Sequence, residues 1–194
     1  MDLNIDGSWT AGSGGTAGVI TGPLVSAAQL SKIEDFVRSA LEEGARLVAG
    51  GRRPQAPELQ KGYFYLPTVL ADCRPDLRVV RQETFGPTLT VERFRTEEAL
   101  ALGNGTEYRL AGAVWTNDTG RAHRVANGLR HGTIWINDYH PYVPGAEWGG
   151  MKRLGNGREL GPTGLAEYQE LRHISQNTAP SGQNWFARSR EGRA

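Results

Sequence analysis

Cysteine is all but missing from this chain. Cys73 stands alone among 194 residues, which excludes an internal disulfide and any thiolate zinc cluster. An excess of one charge is missing as well: 22 Lys and Arg face 21 Asp and Glu, leaving a formal net charge of +1 and no global field to gather nucleic acid. No window approaches the apolar run that a membrane span requires. Met1-Asp2-Leu3-Asn4 has neither the basic nor the apolar segment of a secretory signal, so the expected location is the cytoplasm. What remains, 38% hydrophobic and 22% charged residues, is the composition of a soluble globular protein that can bury one sizeable core or one domain with an appendage. Asp72-Cys73-Arg74-Pro75-Asp76 reads as the exit of a strand into a turn with no histidine nearby in sequence, which argues against a nucleophilic thiol.

Taken in order, Leu3 to Trp9 alternates apolar and polar residues around Asp6-Gly7, a two-residue hairpin signal, and a Gly, Ser and Thr-rich joint follows. Ser26 and Gln29 stand at capping-box spacing ahead of Leu30, Ile33, Val37 and Ala40, which recur at helical intervals until Gly44. Ala45 to Gly50 is a short strand, 51–61 a polar loop, and Gly62 to Leu70 an aromatic and β-branched strand. Leu77 to Arg81 is a further short apolar run, and Leu89 to Phe94 alternates as a strand. Thr96 is placed to cap a helix with Glu97 and Glu98 in its first turn. Ala111 to Trp115, a helix capped by Asp118, and Gly132 to Asn137 give a strand, helix, strand rhythm. Two such units in succession imply an α/β fold with a parallel sheet covered by helices. Leu165 to Leu171 is expected to add a turn or two of helix and His173 to Gln176 a last extended piece. Beyond Asn177 the Pro, Gly, Ser and Arg content reads as a tail in which Trp185-Phe186 alone would dock. The expected organisation is a hairpin and joint over 1–21, a main domain over 22–177 and a tail over 178–194.

Two stretches carry chemistry. In Gln82-Glu83-Thr84-Phe85-Gly86-Pro87, a Glu and a Phe two apart on an extended segment point the same way, so a carboxylate able to accept ribose hydroxyls sits beside a ring able to stack. The second runs from Asp138 through Tyr139, His140, Tyr142 and Glu147 to Trp148. It is dense in rings, prolines and glycines and begins at the carboxyl end of a strand, where α/β sheets form their pockets.

These motifs resemble the NAD(P)-dependent aldehyde dehydrogenase superfamily, most closely its betaine-aldehyde-dehydrogenase-like branch. The likeness is carried by Gly62-Tyr63-Phe64 through Pro67-Thr68-Val69, by Glu83-Thr84-Phe85-Gly86-Pro87 and by Gly132-Thr133-Ile134-Trp135-Ile136-Asn137. It continues through Trp148-Gly149-Gly150-Met151-Lys152 to Gly157-Arg158-Glu159-Leu160-Gly161. The resemblance implies a sandwich like that family's catalytic domain with a small N-terminal β-hairpin, Leu3 to Ile20 being similar to the family's extreme N-terminus. The Rossmann domain, the oxyanion asparagine, the general-base glutamate and the nucleophilic cysteine lie in the family between the stretches that here adjoin at Ile20 and Gly22. The implication is a chain with no resident cofactor and no metal. By the same resemblance Glu83 and Phe85 are the nicotinamide-ribose contacts, and Asn137, Asp138, Tyr142 and Trp148 line the substrate funnel. Gln82, Arg109 and Leu154 depart from the family pattern, Arg109 standing where a glycine is usual.

Two functions stay open on these grounds. One is cofactor-independent acid/base catalysis on a small carbonyl compound, with His140, Glu83, Asp138 and Tyr139 as catalytic groups and Phe85, Asn137, Tyr142, Glu147 and Trp148 as substrate contacts. The other is a non-catalytic ligand-binding or scaffolding subunit, expected to form a homodimer that covers an exposed sheet. Neither reading involves nucleic acid or a membrane.

Overall fold

The computed structural model describes residues 2–5, 8–11, 22–95 and 98–179. Strands β1 (Asp2–Ile5) and β2 (Ser8–Ala11) pair antiparallel with Ile5 opposite Ser8, the register a two-residue hairpin loop requires. The turn residues Asp6 and Gly7, most of the joint, the cap at Thr96 with Glu97, and Trp185-Phe186 lie outside the described residues.

Helix α1 (Ala27–Glu42) starts where Ser26 accepts a hydrogen bond from the Gln29 backbone N–H at 3.2 Å, and its Leu30, Ile33, Phe36, Val37 and Ala40 are buried at helical intervals. Gly44, at φ +102°, turns the chain out of the helix. Strand β3 (Arg46–Ala49) runs antiparallel to β4 (Thr68–Ala71), and β4 pairs parallel with β5 (Thr88–Val91). Between β4 and β5 the crossover includes the single helical turn α2 (Arg78–Arg81). Leu77 to Arg81, expected as an extended apolar run, is therefore helical, and it buries Leu77 and Val79 against Phe36, Ala40 and Leu70. The strand expected over Gly62 to Leu70 begins only at Thr68, after Pro67, which has no N–H for a ladder. Tyr65 instead packs with Leu30, Ile33 and Val37.

The C-terminal half is built from shorter pieces. After α3 (Glu98–Gly103), whose Glu98 carboxylate accepts the Arg95 N–H at 3.0 Å, come β6 (Tyr108–Arg109) and β7 (Ala111–Val114). Asp118 caps α4 (Thr119–Gly128) by accepting the Arg121 N–H at 2.8 Å, and α4 leads into β8 (Thr133–Ile136), which lies parallel to β7. β9 (Met151–Lys152) pairs antiparallel with β6, and α5 (Gly161–Ala166) follows. The helix thus ends short of Leu171, and His173 to Gln176 joins no described strand.

Of the two strand, helix, strand units expected in succession, the second is present as β7, α4 and the parallel β8, whereas the first, from β5 through α3 to β7, forms no described pair, and β5 lies parallel to β4 instead. Strands β5 and β7 thus sit in separate sheets, β3-β4-β5 of mixed direction and β7-β8 parallel, and no described strand bridges them. Among the described residues no helix is long and apolar enough to cross a membrane, and no cluster of metal-ligating side chains occurs.

Candidate functional site

The Glu83 to Phe85 segment is held from behind by α1. Gln29 leaves the capping box half-made and sends its side-chain Nε2 to the carbonyls of Thr84 and Phe85, both at 2.9 Å. Lys32 Nζ donates to the Glu83 carbonyl at 3.1 Å. Gly86 lies flat on the same helix: a Cβ there would stand 2.1 Å from Ile33 Cδ1, so any larger residue would have to displace the Ile33 side chain. The segment is not extended. Phe85 has φ +54°, which breaks the two-residue alternation, so the shared orientation expected for Glu83 and Phe85 does not rest on strand geometry. The Phe85 ring is 74% exposed and the Glu83 side chain faces a cleft beside Thr90, Glu92 and Leu110.

The second site is a cluster of rings at the carboxyl end of β8. Trp135, 8% exposed, is its floor. Tyr139, His140 and Trp148 lie with ring centroids 5.6, 5.9 and 5.9 Å from it, and Tyr142 closes the group at 4.8 Å from His140 and 4.7 Å from Trp148. Edge-to-face pairs such as Tyr142 with Trp148, inclined at 71°, match the ring quadrupoles and stabilise the loop without a large buried core. Tyr142 Oη and His140 Nε2 are 3.0 Å apart, a hydrogen bond at the rim. The loop returns to β8 through backbone contact: a Cβ on Gly132 would stand 1.6 Å from the Gly149 carbonyl oxygen. Trp148 and Glu159 then exchange backbone hydrogen bonds, both 2.7 Å.

Of the remaining candidates, Asn137 (φ +52°) uses its side-chain amide to accept from Thr116 N–H at 2.8 Å and to donate to Thr116 C=O at 3.0 Å, tying the ends of β7 and β8 together. Asp138 accepts the Tyr139 N–H at 2.7 Å. Glu147 accepts from its own backbone N–H and from Thr163 Oγ1 at 3.1 Å, contacts that hold its carboxyl below the usual range. Loop 137–148 therefore gathers its rings, whereas Glu83 and Phe85 share no described hydrogen bond or ring contact with it.

Sequence reasoning passed over Trp135, Gln29 and Lys32. A Trp two residues ahead of the loop, on its supporting strand, was the available signal for the first; nothing local marks the other two as clamps. Arg109, where the family pattern has a glycine, has no positive φ: it is 6% exposed and its Nη2 donates to the Asn104 carbonyl at 2.7 Å, while its Nε is buried with no hydrogen-bond partner among the described residues. Burial, and then the Arg109 charge, push the His131 imidazole below its ordinary pKa. Burial pushes the Cys73 thiol up to about 11, with the charges of Glu92 and Asp72 adding to it, so the thiol stays protonated near neutral pH.

A dinucleotide finds a partial fit. Glu83 offers carboxylate oxygens to ribose hydroxyls and Phe85 an open ring face, but the described residues contain no glycine-rich turn between a strand and a helix to receive a pyrophosphate.

Comparison with known proteins agrees with this arrangement. Betaine aldehyde dehydrogenase of Bacillus subtilis (strain 168) is 52% identical over 176 residues, covering 90% of this chain and 36% of that protein. Aminoaldehyde dehydrogenase 1, peroxisomal, of Pisum sativum is 43% identical over 166 residues, covering 85% and 33%. The crystal structure of betaine aldehyde dehydrogenase from Staphylococcus aureus in complex with NAD+ superposes with a TM-score of 0.81 at 46% identity, covering 86% of this chain and 33% of that one. The chain thus spans about a third of the length of these relatives. The profile described as Aldehyde dehydrogenase family matches residues 7–174, and the chain belongs to the aldehyde dehydrogenase family.

Proposed function

We propose that this chain carries the substrate-recognition side of an aldehyde dehydrogenase and binds a small organic cation of the quaternary-ammonium or amino-aldehyde class, without oxidising it by itself. The observation that carries this reading is the ring cluster of Trp135, Tyr139, His140, Tyr142 and Trp148, whose neighbouring centroids lie 4.7 to 5.9 Å apart. Aromatic faces attract a cation by about 0.5–2 kcal/mol each, and the relatives named for betaine aldehyde and aminoaldehydes act on compounds with a cationic end. The one thiol in the chain is buried and protonated, so these residues by themselves supply no thiolate to attack an aldehyde carbon. Self-association belongs to the same reading, since Tyr168, Leu171 and Ile174 are 90%, 99% and 74% exposed.

Titration with choline and with its neutral isostere 3,3-dimethylbutanol, followed by tryptophan fluorescence, tests this. Choline is expected to bind and the neutral compound to bind at least about tenfold more weakly; equal binding of the two would overturn the reading. Mixing the chain with NAD and betaine aldehyde is expected to yield no reduced cofactor.

The hydrogen-bonded pair of Tyr142 and His140 favours a second reading, cofactor-independent acid/base catalysis at the rim of the cluster. Asp138 and Tyr139 lie beside this pair, and Glu83 stands in a separate cleft. Under that reading His140→Gln removes turnover of an enolisable aldehyde while binding persists; under the first, no turnover exists to lose.

A further inference from the structure

The sheet β3-β4-β5 ends at β5, and the pair β7-β8 stands apart from it, so each of β5 and β7 has one side without a strand partner among the described residues. Two adjoining clefts of about 840 and 870 Å³ occupy the space between. One is lined by Thr90, Glu92 and Phe94 on one side and Leu110 and Ala111 on the other, the second by Phe94 and Arg95 against Gly112 to Thr116. From the rise along a strand, the spacing between strands and the thickness of a sheet layer, one strand residue takes roughly 160 Å³, so about five residues fill roughly 800 Å³. The lining is mainly apolar, and Glu92 Oε1 and His131 Nδ1 are buried there with no hydrogen-bond partner among the described residues. Such atoms are costly unless something supplies the missing partner. The two halves superpose together on a relative of which this chain spans about a third, so their separation is the separation found in a longer molecule.

We propose that the space between β5 and β7 is a slot for an extended strand supplied by another polypeptide, one carrying the part of the aldehyde dehydrogenase fold that this chain does not match. Strand addition uses backbone hydrogen bonds for affinity and side-chain alternation for selection. Here it would pair both open edges at once, cover Phe94 and Leu110, and bring donors and acceptors to Glu92 and His131. The occupant is a strand with apolar residues toward the slot; a second copy of this chain is the competing occupant.

Overlapping peptides of about a dozen residues, tiling the unmatched two thirds of the Bacillus subtilis betaine aldehyde dehydrogenase, serve as the probe, with hydrogen exchange as the readout. At least one peptide is expected to slow exchange at both Thr88–Val91 and Ala111–Val114 by at least about tenfold, and its scrambled version to do nothing. Phe94→Glu and Leu110→Lys, both at exposed positions of the lining, are each expected to abolish the protection while α1 keeps its own slow exchange. Protection by no peptide, protection confined to one of the two strands, or protection present already in a dimer without peptide would each overturn the proposal, the last by assigning the slot to a second copy.

Discussion

The two halves of this molecule divide stability and recognition between them. From Leu24 to Val91 a long helix lies over a three-stranded sheet, and twelve of the fourteen buried hydrophobics among the described residues are found there. From Glu98 onward Ala122 and Trp135 are the only buried hydrophobics among the described residues, while Leu110, Trp115, Ile136 and Met151 are 36 to 62% exposed. Yet the second half holds the ring cluster, the strained φ values of Asn137 and His140, and all four histidines. Parallel strands are normally covered on both faces. A half with so little cover keeps its shape through local ring contacts and backbone ties more than through a core.

That contrast can be broken most directly in the core. Phe36→Ala removes a 1% exposed ring that also carries the Arg78 guanidinium 4.1 Å from its centroid, and is expected to cost about 3–5 kcal/mol in urea unfolding. Val114→Ala, at a half-buried site on β7, is expected to cost under about 1.5 kcal/mol. Comparable losses at the two positions would erase the distinction.

Trp148→Ala should do the opposite. It is expected to weaken choline binding at least about tenfold, as loss of one cation–π face of about 1.4 kcal/mol requires, while slow hydrogen exchange in α1 is unchanged. A large fall in stability with binding intact would place the ring cluster with the core instead.

Acid should separate the halves as well. His131 has a folded pKa below its unfolded one, so its contribution to stability is full above the unfolded value near 6.5 and is lost as pH falls through the folded value. As pH falls below about 6.5, the ordinary imidazole value, the second half is expected to open first by hydrogen exchange. The carboxyls held low in the first half, Glu34 by Arg53 and Asp76 by Arg74, matter only in stronger acid. His131→Phe should flatten this dependence. Arg109→Gly, which removes a neighbouring positive charge, should reduce it; a steeper acid response in that variant would contradict the assigned cause.

The smallest effect is expected at the junction. Gln29→Ala deletes two hydrogen bonds to the Thr84 and Phe85 carbonyls and is expected to cost about 1 kcal/mol, seen as faster exchange at 84–88 with α1 unchanged.

What the sequence disclosed follows the same division. Helix α1 was legible because apolar spacing, the Ser26 cap and Gly44 all agree, and the crossover from β7 to β8 was legible from its alternation and the Asp118 cap. Leu77 to Arg81 misled because a four-residue apolar run has no period of its own, and its helical state is set by packing under Phe36. Phe85 misled because its carbonyl is tied to Gln29, which lies 56 residues earlier in the chain, a contact no local pattern reveals. The rings of 138–148 were visible by composition, but Trp135 as their floor emerges only once β8 and the returning Gly149 backbone meet.

The buried thiol of Cys73 gives the molecule a built-in reporter. Sealed in the cluster around Phe36 and Leu70, it should ignore maleimide reagents for as long as that packing holds, however freely the ring-bearing half breathes. The rate at which it becomes labelled is therefore a clock for opening of the first half alone, readable by mass spectrometry on the unaltered chain.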